Sequence, residues 1–198
     1  MSIVKLNNRA VSNASTFGSI SSLGEMVFIS KATASSSASI EFSLGDYKEY
    51  QFYFYDIHPS TDNVQFEFNL STDNGSNYNV TKTTTAFYSY HNENDASSGL
   101  GYTTLYDLAQ STSNQKLAFE LGIDNDQSSS GYLHLFNPSS NTFVKHFISN
   151  FETCRYDDLS ENVYIAGYGN TISPITNIKF QMSSGNIDSG EILLFGIN

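Results

Sequence analysis

The chain has 198 residues, 39% of them hydrophobic, enough to bury a substantial core, and all-β chains of this length commonly form one domain. Its 9 basic residues against 20 acidic ones give a net charge of −11, which opposes nucleic-acid phosphates and anionic lipid and removes nucleic acid and membrane from the expected partners. With 15% charged and 14% aromatic residues, the composition suits strands better than a helix bundle.

Residues 1–24 are rich in Ser, Asn and Gly, and their apolar residues follow no period. They read as an extended N-terminal arm ahead of a body at 25–198. Such an arm has too little apolar surface to order itself and gains order by lying along the body or a neighbouring subunit. Leu6, Val11, Phe17, Ile20 and Leu23 are its candidate interface residues. The opening stretch lacks the continuous apolar core of a signal peptide, and no run of about 18 apolar residues occurs, so a soluble product is expected.

A strand is expected at 25–33, followed by a low-complexity loop, "ATASSSAS". "ASIEFSL" then alternates, with Ile40, Phe42 and Leu44 on one face. "YKEYQFYFYDI" is apolar on both faces, Phe52 and Phe54 opposing Tyr53 and Tyr55. This predicts a central strand covered on both sides or one at an interface, with Tyr53 and Tyr55 as candidate interface residues. In "VQFEFNL", Val64, Phe66, Phe68 and Leu70 share one face and Gln65, Glu67 and Asn69 the other, the period of a half-buried strand. "STDNGSNYNV" lies between this segment and an expected strand at 79–91, and its Asp73, Asn74 and Gly75 predict a hairpin connection. "LYDLAQST" is the sole helical candidate, no more than a short turn. Further strands are expected at 117–123, 131–136, 142–151, 162–169, 177–183 and 190–197, separated by turn clusters such as "DNDQSSSG" and "SSGNIDSG". Roughly ten strands result. The fold class is therefore all-β, a two-sheet antiparallel β-sandwich of jelly-roll-like type, with a closed barrel as the alternative.

Chemistry-bearing residues form no recognisable constellation. The Asp-rich clusters could offer oxygens to calcium, and Asp124 and Asp126 are the best metal candidates, yet none matches an EF-hand or a calcium-binding repeat. Asp and Asn also build turns by bonding nearby amides, and that reading is favoured here. His58, His91, His134 and His146 lack metal-site spacing, no nucleophile elbow is present, and nothing selects a carboxylate pair. The expectation is a protein without catalytic residues or cofactor. Cys154 is the only cysteine, which excludes an intrachain disulfide. Tyr50, Tyr53, Tyr55, Tyr88 and Tyr90 fit either cross-strand pairing or a stacking platform for sugars, with pairing favoured. Sequons at Asn13, Asn69, Asn74 and Asn79 are what an Asn- and Ser-rich chain contains by chance.

The blocks "LNNRAV", "FGSISSLG", "YKEYQFYF", "DIHPSTDNVQF", "STDNGSNYN", "DNDQSSSGYLHLFNPSSNTFVKHFIS", "AGYGNTISPITNIKFQMSSGNIDSG" and "ILLFGI" span nearly the whole chain. Together they resemble small virion structural proteins of marine tailed bacteriophages. The resemblance implies a non-enzymatic particle component with a β-sandwich body, made in the bacterial host cytoplasm and then located in the virion. A capsid decoration or cement subunit anchored by its arm is the leading expectation. Its partners would be other virion proteins, the major capsid protein or tail components, in a symmetric homo-oligomer such as a trimer. The alternative is a tail-fibre or head-fibre adhesion module whose partner is host surface polysaccharide.

Overall fold

The computed structural model describes residues 26–198. Leu6, Val11, Phe17, Ile20 and Leu23, the expected interface residues of the arm, lie outside the described residues. The described residues form twelve strands: β1 (Met26–Thr33), β2 (Ile40–Ser43), β3 (Glu49–Pro59), β4 (Val64–Ser71), β5 (Lys82–Asn92), β6 (Ser98–Tyr102), β7 (Gln115–Leu121), β8 (Ser129–Phe136), β9 (Lys145–Cys154), β10 (Leu159–Gly169), β11 (Asn177–Met182) and β12 (Ile187–Ile197). They build two antiparallel sheets, one of eight strands in the order β1-β12-β3-β8-β9-β10-β5-β6 and one of four in the order β2-β11-β4-β7. This is the antiparallel sandwich that the alternation predicts. Among the described residues, consecutive strands stay within one sheet at β5–β6, β8–β9 and β9–β10; the other connections cross between sheets in jelly-roll manner.

The alternating segments form the core as expected, because a period of two places every second side chain on the face shared by the two sheets. Phe180 of β11 sits at its centre, with ring centroids of Phe54, Phe52, Phe66 and Phe42 at 5.0, 5.3, 5.9 and 6.2 Å. Such edge-to-face and offset contacts add to the burial of the rings themselves.

Two expectations are corrected, and one strand appears that was not foreseen. First, β4 and β5 belong to different sheets, so "STDNGSNYNV" is a corner between sheets and not a hairpin. Its chemistry is nonetheless that of a turn: the Asp73 carboxylate accepts from Ser71 Oγ at 2.7 Å and from the Asn77 amide N–H at 2.9 Å, and Asn74 adopts φ 59°. The hydrophobic residues that follow are drawn to the larger sheet, and burial there overrides the local turn signal. Second, β3 is interior to its sheet but covered on one face only; Tyr55 on its outer face is 49% exposed. The unforeseen strand is β6, which carries no alternation that marks it as one. Gly99 and Gly101 occupy its inner positions because Tyr90 and Tyr88 lie there, a Cβ on Gly99 coming within 2.8 Å of the Tyr90 ring. The strand is defined by the tyrosines it packs against.

Candidate functional site on the outer face of the large sheet

The inner face of the eight-stranded sheet meets the smaller sheet and, beyond it, the 103–114 segment, whose Leu108 N–H bonds Thr84 on β5. The outer face is left uncovered by the described residues. Its side chains alternate with the core residues along each strand, so their composition was free to differ from both core and ordinary surface. It is rich in rings. Tyr53 of β3 is registered with Tyr132 of β8, Tyr132 with Asn150 of β9, and Asn150 with Tyr164 of β10. Tyr164 is registered in turn with Phe87 of β5, and Phe87 with Tyr102 of β6. One rung across six adjacent strands thus carries five aromatic rings and an amide. At about 4.8 Å per strand the row is roughly 24 Å long.

The exposed end of the row is stacked: the Phe87 and Tyr164 rings lie 5.0 Å apart with planes 8° from parallel, and they are 45% and 42% exposed. Beside Tyr164, on the same face, the amides are locked. Asn150 Nδ2 donates to Asn162 Oδ1 at 2.9 Å and to Val163 O at 3.1 Å, while Asn162 Nδ2 donates to Phe151 O at 3.1 Å and Asn150 Oδ1 at 3.3 Å. Both amide donors are spent, and each oxygen retains acceptor capacity toward solvent. Next to Tyr164 on the same face of β10, Ala166 floors a shallow depression of about 490 Å³ with Ile148, Phe136, His146, Tyr168 and Thr83 around it.

Other sequence candidates are dispersed. Tyr50 is 1% exposed, its hydroxyl accepting from the Gly45 N–H, and Tyr88 and Tyr90 point inward over β6, so these three supply no surface platform. Tyr53 and Tyr55 do lie on the outer face, with the Tyr53 hydroxyl donating to Gln51 Oε1 at 2.9 Å. Asp124 and Asp126 occupy the β7–β8 turn, where Asp124 O accepts the Gln127 N–H at 2.9 Å. Among the described residues, no three His, Cys, Asp or Glu side chains are grouped to hold a metal ion. The histidines have separate partners: Asp188 at 4.0 Å for His58, Asp95 at 3.0 Å for His91, Glu49 at 3.0 Å for His134, and the Tyr168 ring for His146.

Two buried charged groups escaped the sequence reading. Arg155 bridges Glu120, Asp157 and Glu161; burial pushes the Glu161 carboxyl up to about 7 against the pull of Arg155, and its Oε2 has no hydrogen-bond partner among the described residues. Glu161 is 2% exposed, so no substrate reaches it. Lys82 is fully buried and is held by Asn69 Oδ1 at 2.6 Å and Val80 O at 2.8 Å. The aromatic row was also missed, apart from Tyr53, because register between strands distant in sequence is invisible in a local period.

No protein-family model, curated protein or solved structure matches the chain.

Proposed function

We propose that this protein is a non-enzymatic structural subunit of a bacteriophage particle, a capsid decoration or cement protein made in the host cytoplasm and assembled as a symmetric homo-oligomer onto the major capsid protein or tail components. The observation that carries the reading, together with the resemblance, is the edge strand that begins the body. On β1, Met26, Val27, Phe28 and Ile29 are 44%, 41%, 55% and 37% exposed, on both faces of a strand that, among the described residues, pairs on one side only, with β12. An apolar edge of this kind is a template for strand addition, and the register shift between Phe28 and Ser30 and the charge of Lys31 guard it only beyond its apolar first half. This edge follows the arm directly in sequence, and in this proposal the two serve attachment together. Symmetric copies multiply its contacts into avidity.

Deletion of residues 2–24 combined with V27K on the edge is expected to abolish incorporation into particles while the body folds; normal incorporation of that variant overturns the reading. A second reading, adhesion to host surface polysaccharide by a tail-fibre or head-fibre module, is favoured by the aromatic row on the outer face.

A further inference from the structure

We infer that the row Tyr132, Asn150, Tyr164, Phe87 and Tyr102 is a binding site for a neutral pyranose glycan. This deepens the adhesion reading and is independent of particle attachment, since the row lies on the five strands of the sheet farthest from β1.

Three observations fix the class of ligand. A pyranose has an apolar C–H face and a polar rim, and it needs flat rings at one height with hydrogen-bonding groups beside them. The register brings rings and polar groups to one height: Tyr164 and Phe87 stack on each other, each covering one face of its neighbour while staying half exposed, so a sugar packs on the ring surface the pair leaves open, and the Asn150 and Asn162 oxygens are held in place by amides whose donors are already engaged. A site of this kind spends little entropy on ordering its own side chains when it binds. The Tyr132 and Tyr164 hydroxyls make no side-chain hydrogen bond among the described residues, which leaves them for a ligand.

Charge decides between glycan classes. The row carries no charged residue, but the neighbouring rung places Glu152 opposite both Asn162 and Ser130, with Glu152 Oε1 already accepting from Ser160 Oγ at 2.6 Å. A carboxylate there, on a chain of net charge −11, accepts sugar hydroxyls and repels uronic or sialic acids. The chemistry between the rings also separates a glycan from a protein partner. A protein interface core is depleted of charged residues and serine around its aromatic anchors, whereas here Glu152, Ser89 and Ser130 lie beside the rings. The depression floored by Ala166 continues the apolar surface past Tyr164 and gives the next sugar of a chain a place to lie.

The test is a glycan array followed by calorimetric titration of the full-length protein with neutral β-linked gluco-, galacto- and N-acetylglucosamine oligosaccharides, alongside uronic-acid oligomers. Binding of at least one neutral series is expected, weakened roughly tenfold or more by Tyr164→Ala and by Phe87→Ala, each removing one exposed ring. Tyr164→Leu, which keeps apolar area and the fold but lacks a ring face, is expected to lose affinity as well, and Ile123→Ala, at an exposed residue outside the eight-stranded sheet, to leave it unchanged. The inference is overturned if no neutral series binds at millimolar concentration, if uronic acids bind in preference, or if Tyr164→Ala and Tyr164→Leu bind as the wild type does. The Tyr164 variants should still enter particles, and the arm-deleted protein should still bind glycan, so each reading fails on its own measurement.

Discussion

Replacing Lys82 by Met should make this protein more stable at neutral pH. Lys82 begins β5 with its side chain on the inner face, fully buried, and burial pulls its ammonium down from 10.5 to about 7. Its two acceptors are an amide oxygen and a backbone carbonyl, neither of which neutralises a charge. In the unfolded chain the group titrates at its ordinary value, so between about 7 and 10.5 the unfolded state holds a proton that the folded state has released. Stability therefore rises with pH across that window. Below about 7 both states are charged and the full cost of burying the ammonium applies; above 10.5 both are neutral and the cost is gone. At about 1.4 kcal/mol per pKa unit, the fall from 10.5 to about 7 sets that cost at roughly 5 kcal/mol as an upper figure. Lys82→Met keeps the aliphatic stem and removes the charge. It leaves Val80 O without its ammonium donor, at a cost of about 1–3 kcal/mol, while Asn69 Oδ1 still accepts the Leu70 N–H at 2.9 Å. The expected net gain is roughly 2–4 kcal/mol at pH 6. Urea unfolding of both proteins from pH 6 to 10 measures it, and the difference should shrink toward zero or reverse as pH approaches 10. A variant less stable than wild type by more than about 1 kcal/mol at pH 6, or a difference that does not change with pH, refutes the reasoning.

Glu161→Gln tests a second buried group: its carboxyl, raised to about 7 from 4.5 mainly by burial, is ionised in the unfolded state and protonated in the folded state between those values. Its burden therefore grows as pH rises and is complete above about 7, so the amide should add about 1–2 kcal/mol at pH 8 and nothing near pH 4, read by thermal unfolding at both. Asp73→Ala should loosen the corner between the sheets. The Asp73 carboxyl is held down to about 2 first by Asn77 and then by Ser71, an interaction present at neutral pH and lost as pH falls through about 2. Faster amide exchange at Ser71–Asn77, with the β3 core unchanged, is the expected result.

The two sheets were legible because burial on one face imposes a period of two on nearby residues, and Phe42, Phe66 and Phe180 declare their inward direction within their own segments. The same local rule misassigned the corner at Asp73–Gly75, since a turn sequence reports the bend and not which sheet the chain enters next. It also passed over β6, where two glycines replace the expected inward hydrophobics because Tyr88 and Tyr90 already fill the space. Glu67 and Asn69, on the apparently polar face of β4, are in fact buried, because the 103–114 segment folds back to bond them through Asn114 and Thr112.

The candidate site separates along the same line. Composition and alternation alone determined an acidic, antiparallel sandwich with tyrosines and phenylalanines to spare beyond those its core requires. Which of those rings would stand together was decided by tertiary structure: Tyr53, Tyr132, Tyr164, Phe87 and Tyr102 come from five strands spread between residues 49 and 169, and the registers of those strands are set by core packing on the opposite face. A shift of one residue in any of them would turn its ring inward. The row on the outside is thus a consequence of how the inside packs.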